Sequence, residues 1–216
     1  MIKLLIADDH PVVREGLRRV VADSPDIVVV GEAATADELL AQVDRVGPEV
    51  VLLDISMPGP GLFEVLRALR ERRPAIRTLV LSVHPEGQYA VRALKAGAAG
   101  YLTKDQAPRE LLAAIRRVHG GGRYVSPALG EKLAQGRGAG VETAAHEQLS
   151  DREFEVLRLL GAGNSVGDIA RRLSLSPKTV STYRTRILAK LKVKGTAGLI
   201  RYAVEQDVGG SATPAL

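Results

Sequence analysis

The sequence predicts an α/β protein, a five-stranded doubly wound parallel sheet followed by a small all-α domain. Three observations carry this prediction. Short apolar runs alternate with amphipathic segments through the first 120 residues, the composition turns glycine-rich over 119–148, and everything from 149 onward reads as helix in pieces. A chain of 216 residues with 45% hydrophobic content is long enough for two small domains, each with its own core.

The strands are expected at KLLIA (3–7), IVVVGEA (27–33), VVLLD (50–54), TLVLS (78–82) and AGYLT (99–103). Helical periodicity falls between them, at 11–22, 36–46, 61–72, 86–96 and 108–119. Repeated strand–helix units give a parallel sheet with helices on both faces, because right-handed crossovers cover both sides. Gly120, Gly121 and Gly122 close the first domain (1–120), and a linker with a short helix at 127–135 is expected over 121–148. The second domain (149–208) opens with a capping-box pattern, Ser150 with Glu153. NSVGDIARRL is a short helix broken by SLSP, and PKTVSTYRTRILAKL places Pro177 in a first turn capped by Ser176. TAGLIRYAVEQ closes the domain, and 209–216 is expected to be a flexible tail.

Composition narrows the function classes. The chain has no Cys, which removes disulfides, thiolate metal sites and cysteine nucleophiles. Aromatics at 3% argue against a large aromatic-lined pocket. MIKLLIADDH is too short an apolar run for a signal peptide, and no stretch reaches membrane-spanning length, so a soluble cytoplasmic protein is expected. Residues 1–120 carry 16 basic against 16 acidic residues and 121–148 three against three, whereas 149–216 carry 11 against six. The whole net charge of +5 therefore sits in the last third, which points to a polyanion partner there.

In a doubly wound sheet, chemistry gathers at the carboxyl ends of the strands. Asp8 and Asp9 follow the first strand, Asp54 ends the third, Ser82 ends the fourth and Lys104 follows the fifth. Three clustered carboxylates repel and call for a cation. A hard divalent ion such as Mg²⁺ suits a few carboxylates and takes further ligands from a phosphate, while a hydroxyl and an ammonium opposite suit phosphoryl oxygens. His10 before Pro11 and His84 before Pro85 read as turn residues.

The runs IADDHPVVREGL, LLDISMPGPG and LSVHPEGQYAVRALKAGAAGYLTKD resemble, in order, the motifs of a response-regulator receiver domain. The resemblance implies a flavodoxin-like receiver fold with Asp54 as phosphoacceptor. It implies Asp9 as the main Mg²⁺ carboxylate, assisted by Asp8 and the backbone carbonyl of Ser56. Ser82 would be the hydroxyl switch, Lys104 the counter-charge, and Tyr101 the aromatic that reorients with Ser82. Many receivers have Pro after the lysine, where this chain has Asp105.

On the basic helix, Val180, Ile187, Leu188 and Leu191 fall on one side, and Lys178, Ser181, Thr182, Thr185, Ala189 and Lys192 on the other. Residues 177–194 hold six basic residues and no acid, a small and cationic face suited to a DNA major groove. LSDREFEVLRLLGAGNSVGDIARRLSLSPKTVSTYRTRILAKLKV resembles the LuxR-type helix-turn-helix of the NarL/FixJ branch of response regulators. By that resemblance Ser181, Thr182 and Thr185 point to base edges, while Lys178, Thr179, Arg184, Arg186 and Lys190 contact phosphates or supply flanking charge. Tyr183 stands where many relatives carry His, and GNSVGDIA departs from the commoner run with Asn after Ser.

The expectation is a DNA-binding transcriptional regulator switched by a sensor histidine kinase through Asp54, and not a turnover enzyme. Its partners would be that kinase, double-stranded promoter half-sites, a second copy of the chain once phosphorylated, and RNA polymerase, with no membrane. A phosphorylation-independent regulator with an atypical receiver is the alternative. An aspartyl-phosphate phosphatase would need a second acid two residues after Asp54, where Ser56 stands. A small-molecule-sensing regulator fits poorly with the low aromatic content.

Overall fold

The computed structural model describes residues 1–83, 88–127, 129–131, 145–206 and 208. Contacts divide the chain into a sheet unit, running to Gly130 apart from residues 87–89, and a helical unit from Glu131 onward. Residues 121–130 therefore cluster with the sheet. Of the short helix expected at 127–135, the described residues 127 and 129–131 are helical. The glycine-rich stretch after it, His84 and the expected tail at 209–216 lie outside the described residues.

In the sheet unit, β1 (Ile2–Ala7), β2 (Ile27–Ala33), β3 (Val50–Asp54), β4 (Arg77–Ser82) and β5 (Gly100–Thr103) alternate with α1 (Pro11–Ala22), α2 (Ala36–Val46), α3 (Leu62–Arg72), α4 (Gln88–Ala96) and α5 (Ala107–His119). The strands are parallel in the order β2-β1-β3-β4-β5. Every residue of β3 is buried, whereas the edge strand β2 buries only Ile27 and Ala33 fully. The central runs are continuous in apolar residues for that reason, since helices cover them on both faces. The order reverses between β1 and β3, so a crevice opens beside their carboxyl ends.

Local signals fix the crossovers. Thr35 accepts a hydrogen bond from Glu38 N at 3.1 Å while Glu38 Oε2 accepts from Ala34 N, capping α2 reciprocally. After β3, the Pro58–Gly59 turn holds its place through Ala36 N donating to Pro58 O at 3.0 Å. Gly59 has φ of +107°, a conformation that L side chains rarely adopt. Beyond α5 the chain returns to the sheet. Tyr124 N donates to Ala99 O at 3.1 Å and Tyr101 N donates to Tyr124 O at 2.9 Å, so Tyr124 pairs along the outer edge of β5. A Cβ on Gly100 would lie 2.7 Å from Tyr124 O, so this approach needs glycine.

The helical unit opens with a 3₁₀ turn (Ala145–Gln148), followed by α6 (Asp151–Gly161), α7 (Val166–Arg172), α8 (Pro177–Leu191) and α9 (Gly195–Glu205). Ser150, Ser165 and Ser176 accept from the N–H groups of Glu153, Asp168 and Thr179, and cap α6, α7 and α8. Leu157, Ile169, Val180, Ile187, Leu191, Leu199 and Ala203 are buried in its core. The turn from α7 to α8 closes as a Schellman motif, with Leu175 N donating to Ala170 O and Ser174 N to Arg171 O. Its left-handed position is Ser174, at φ of +53°, where glycine would carry no steric cost. Ser174→Gly is expected to raise the stability of the helical unit by about 1 kcal/mol, read as a higher denaturant midpoint of the full chain with unchanged slope.

Candidate functional site

The carboxyl ends of β1, β3 and β5 bring three charged side chains into contact. Lys104 Nζ lies 2.5 Å from Asp8 Oδ2 and 3.0 Å from Asp54 Oδ1, although Lys104 and Asp8 are 96 residues apart. Asp8 is wholly buried and Asp54 is 3% exposed. Asp8 Oδ1 accepts from His10 N at 2.9 Å, and Asp54 Oδ2 accepts from Ser56 N at 3.0 Å. Burial pushes the Asp54 carboxyl above its ordinary range; Lys104 opposes that rise and Asp8 adds to it. Burial pulls the Lys104 ammonium down, but Asp54 and Asp8 override it and hold the ammonium above its usual range.

Asp9 faces the same crevice. Its buried Oδ1 has no hydrogen-bond partner among the described residues, though His10 Nδ1 lies 2.8 Å away. Ligand atoms of Asp8, Asp9 and His10 all lie within 4.8 Å of one another. Arg14 braces this corner, donating to Asp8 O at 2.7 Å and to Glu32 at 3.1 Å. Neither the His10 ring nor Arg14 figures in the sequence reading of the site. The DDHPVVR run places both within six residues of Asp8, but only the α1 start shows that they turn back toward it.

Ser82 is wholly buried at the end of β4, with its carbonyl accepting from Lys104 N at 2.7 Å. Tyr101 lies on β5 with a fully buried ring. The Lys104–Asp105 peptide is trans, like every other peptide among the described residues.

The residues expected to meet DNA do not share one environment on α8. Lys178, Thr182, Thr185 and Arg186 are exposed, while Thr179, Ser181 and Arg184 are half-buried. Thr179 Oγ1 sits 2.8 Å from the capping Ser176 Oγ. The hydroxyls of Thr182 and Thr185 donate back to the carbonyls of Lys178 and Ser181, which leaves their methyl groups and acceptor lone pairs for an outside contact. Lys190 is engaged within the unit: its Nζ lies 2.6 Å from Glu153 Oε2 and 3.3 Å from Gln148 O. Burial pushes the Glu153 carboxyl up, but Lys190 and Ser150 N together hold it below its ordinary range.

Glu153 thus ties the start of α6 to the end of α8. Removing the ammonium in Lys190→Ala is expected to destabilise the helical unit by about 1–2 kcal/mol, because it strands a buried carboxylate beside a half-exposed position. A lowered folded value means this contribution is present above the ordinary carboxylate range and lost as pH falls through it. The deficit of the variant in denaturation curves should therefore shrink toward acid pH.

A doubly wound sheet with an acidic crevice and a facing lysine, joined to a helix-turn-helix unit, defines a receiver coupled to a DNA-binding domain. A model of the response regulator receiver domain matches residues 4–116, and one of the bacterial regulatory proteins of the luxR family matches residues 147–203. The response regulator UvrY of Escherichia coli K12 is 36% identical over 214 residues, which cover 99% of this chain and 98% of UvrY. The response regulator GacA of Pseudomonas aeruginosa is 37% identical over 99% of this chain and all of GacA. Among solved structures, RcsB of Salmonella typhimurium superposes with a TM-score of 0.75 at 25% identity, covering 97% of this chain and 98% of RcsB. RcsB bound to the promoter rprA in the presence of the phosphomimetic BeF₃⁻ gives 0.70 at 27% identity, over 93% of this chain and 97% of that one.

The chain belongs to the response-regulator family, in the NarL/FixJ branch that joins a receiver to a LuxR-type helix-turn-helix. It is a DNA-binding regulator of a two-component system, from a non-enzymatic family. Among the described residues, no helix is long and apolar enough to cross a membrane.

Proposed function

We propose that a sensor histidine kinase phosphorylates Asp54, and that this switches binding of α8 to promoter DNA. The observation that carries the reading is the single ammonium of Lys104 held between two buried carboxylates. One cation beside Asp8, Asp9 and Asp54 leaves an excess of negative charge that a phosphoryl group would deepen. The donor set is hard oxygen throughout, with a buried Asp9 oxygen that has no hydrogen-bond partner among the described residues, so it fits Mg²⁺. Asp8, Asp9, Asp54 and the Ser56 carbonyl would hold that ion, which would neutralise charge on the transferred group.

In the transfer, a carboxylate oxygen of Asp54 forms the new P–O bond as the P–N bond to the donor histidine breaks, and that nitrogen recovers a proton. Lys104 opposes the burial that raises the Asp54 carboxyl and so favours the ionised form this role requires. Lys104 then exchanges part of its contact with Asp54 for a phosphoryl oxygen. Ser82 supplies a hydroxyl to the same group, and Tyr101 follows Ser82. The phosphorylated chain forms a homodimer that reads two half-sites and acts on RNA polymerase from there. Lys178, Ser181, Thr182, Thr185 and Arg186 supply the outward DNA contacts. Thr179, Arg184 and Lys190 contribute closer to the helix, by capping, flanking charge and anchoring.

Acetyl phosphate with Mg²⁺ should add one phosphoryl group to the intact mass and raise both dimer fraction and promoter affinity. Asp54→Ala should take up none. An unmodified wild-type mass defeats the phosphoacceptor reading. An Asp54→Ala variant that regulates fully supports the phosphorylation-independent alternative.

A further inference from the structure

The sheet unit has a second concave site, at the amino ends of β4 and β5 and so at the end of the sheet opposite Asp54. It is lined by the last turns of α3 and α4, the start of β4 and the chain after α5, and encloses about 390 Å³. Arg70, Arg77, Lys95 and Arg123 line it, and among the described residues no carboxylate does. None of these four cations makes an ion pair or side-chain hydrogen bond with another described residue.

Several cations elsewhere on the sheet unit are spent in pairs. Arg14 holds Glu32, Arg19 holds Glu15, Arg73 holds Asp44 and Arg116 holds Asp26. The first 120 residues are charge-balanced overall, with 16 of each sign, and what marks this group is that four cations share one cleft whose lining, among the described residues, holds no carboxylate. Helix ends account for part of it. Arg70 and Lys95 lie in the last turns of α3 and α4, where cations complement the exposed carbonyls. The C-terminal ends of α3, α4 and α5 border the cleft and supply about half a negative charge each, against four cations. Arg77 opens a strand, with its guanidinium beside Gly121 just past the end of α5, and Arg123 follows the turn there.

We propose that this cleft binds a linear oligophosphate, either free or as the phosphate end of a nucleotide. Guanidinium forks match phosphate oxygens two at a time, and three of the four cations are arginines. The volume is at the small end of small-molecule sites, and a concave pocket of this size admits a phosphate chain but not a duplex. Among the described residues no aromatic side chain lines the cleft, so recognition rests on the phosphates and not on a stacked base. At Gly97, φ is +118° and an added Cβ would lie 3.3 Å from Arg70 Cδ; the glycine leaves the arginine stem its place across the cleft.

The test is calorimetric titration of the full-length protein with inorganic tripolyphosphate in low-salt, magnesium-free buffer. One ligand per chain is expected. Arg77→Ser with Arg123→Ser should weaken binding at least about tenfold while leaving acetyl-phosphate labelling and promoter binding intact. Lys178→Ala with Arg186→Ala, on the DNA-binding helix, should leave tripolyphosphate affinity unchanged. Equal affinity for ATP assigns the site to the phosphate chain alone, and tighter binding of ATP assigns it to a nucleotide. Absence of binding, binding indifferent to the Arg77/Arg123 pair, or binding lost with the α8 pair overturns the proposal.

Discussion

Lys104→Met is expected to destabilise the metal-free sheet unit by about 3 kcal/mol, and added Mg²⁺ should recover much of the loss. The lysine head is 16% exposed and touches both Asp8 and Asp54, whose carboxylates are almost wholly enclosed. Methionine keeps the length and apolar stem but removes the cation, so two buried like charges are left facing one another. Breaking a buried pair from one side leaves the remaining charge uncompensated, which is the costly case. Arg14 offers little relief, because it is spent on the Asp8 carbonyl and Glu32. A denaturation curve indistinguishable from wild type would show that the lysine contributes no stability. A deficit that divalent cation does not lessen would show that the crevice does not hold one. Sign matters for the pH dependence. The Lys104 ammonium is held above its ordinary range, so its stabilisation is complete below that range and is lost only as pH rises through the raised value.

Asp54→Asn has the opposite sign for stability and the largest effect on function. Phosphoryl uptake should vanish entirely, since no carboxylate oxygen remains to form the acyl phosphate. The metal-free variant should also be more stable than wild type near neutral pH. Asp54 has a raised folded value, so its contribution favours folding below the ordinary carboxylate range and is lost as pH climbs through the raised one. The advantage of the amide should accordingly narrow as the solution is acidified. Lys104→Met should cost less in the Asp54→Asn background than alone, because the two groups share one ion-pair cluster. Strict additivity in that cycle would argue that the lysine acts through Asp8 only.

Much of the fold was open to inspection in the sequence because burial there is nearly binary. VVLLD has one environment from end to end, so its edges fall where the apolar run stops. Two helix starts were legible through Ser150 and Ser176, whose side chains act within four residues, whereas the caps at Thr35 and Ser165 were not read. The meeting of Asp8, Asp54 and Lys104 needed only the strand order, since parallel strands deliver their carboxyl ends to one edge. Pairings set by tertiary distance were hidden. Lys190 read as one more cation on a basic face, and only the packing of α8 on α6 shows it spent on Glu153, 37 residues earlier. Four cations on separate segments, Arg70, Arg77, Lys95 and Arg123, likewise carry no common signal until the sheet gathers them. Ser174 escaped notice because nothing in SLSP marks a serine as the residue that must turn left-handed.

Tyr124 has a consequence for how copies of this protein can meet. A parallel sheet ends in two unsatisfied edges, and an exposed edge invites strand-on-strand association with another chain. On the β5 side, Tyr124 occupies the donor of Tyr101 and the acceptor of Ala99, and its hydroxyl is anchored on Glu110 at 2.5 Å. That rim is closed to backbone augmentation by the molecule's own chain. Any assembly built on this side of the receiver must therefore be made by side chains on helix surfaces, which a shift in charge or packing can form and dissolve. A continuous intermolecular sheet, which would be hard to reverse, is blocked at the point where a signalling protein could least tolerate it.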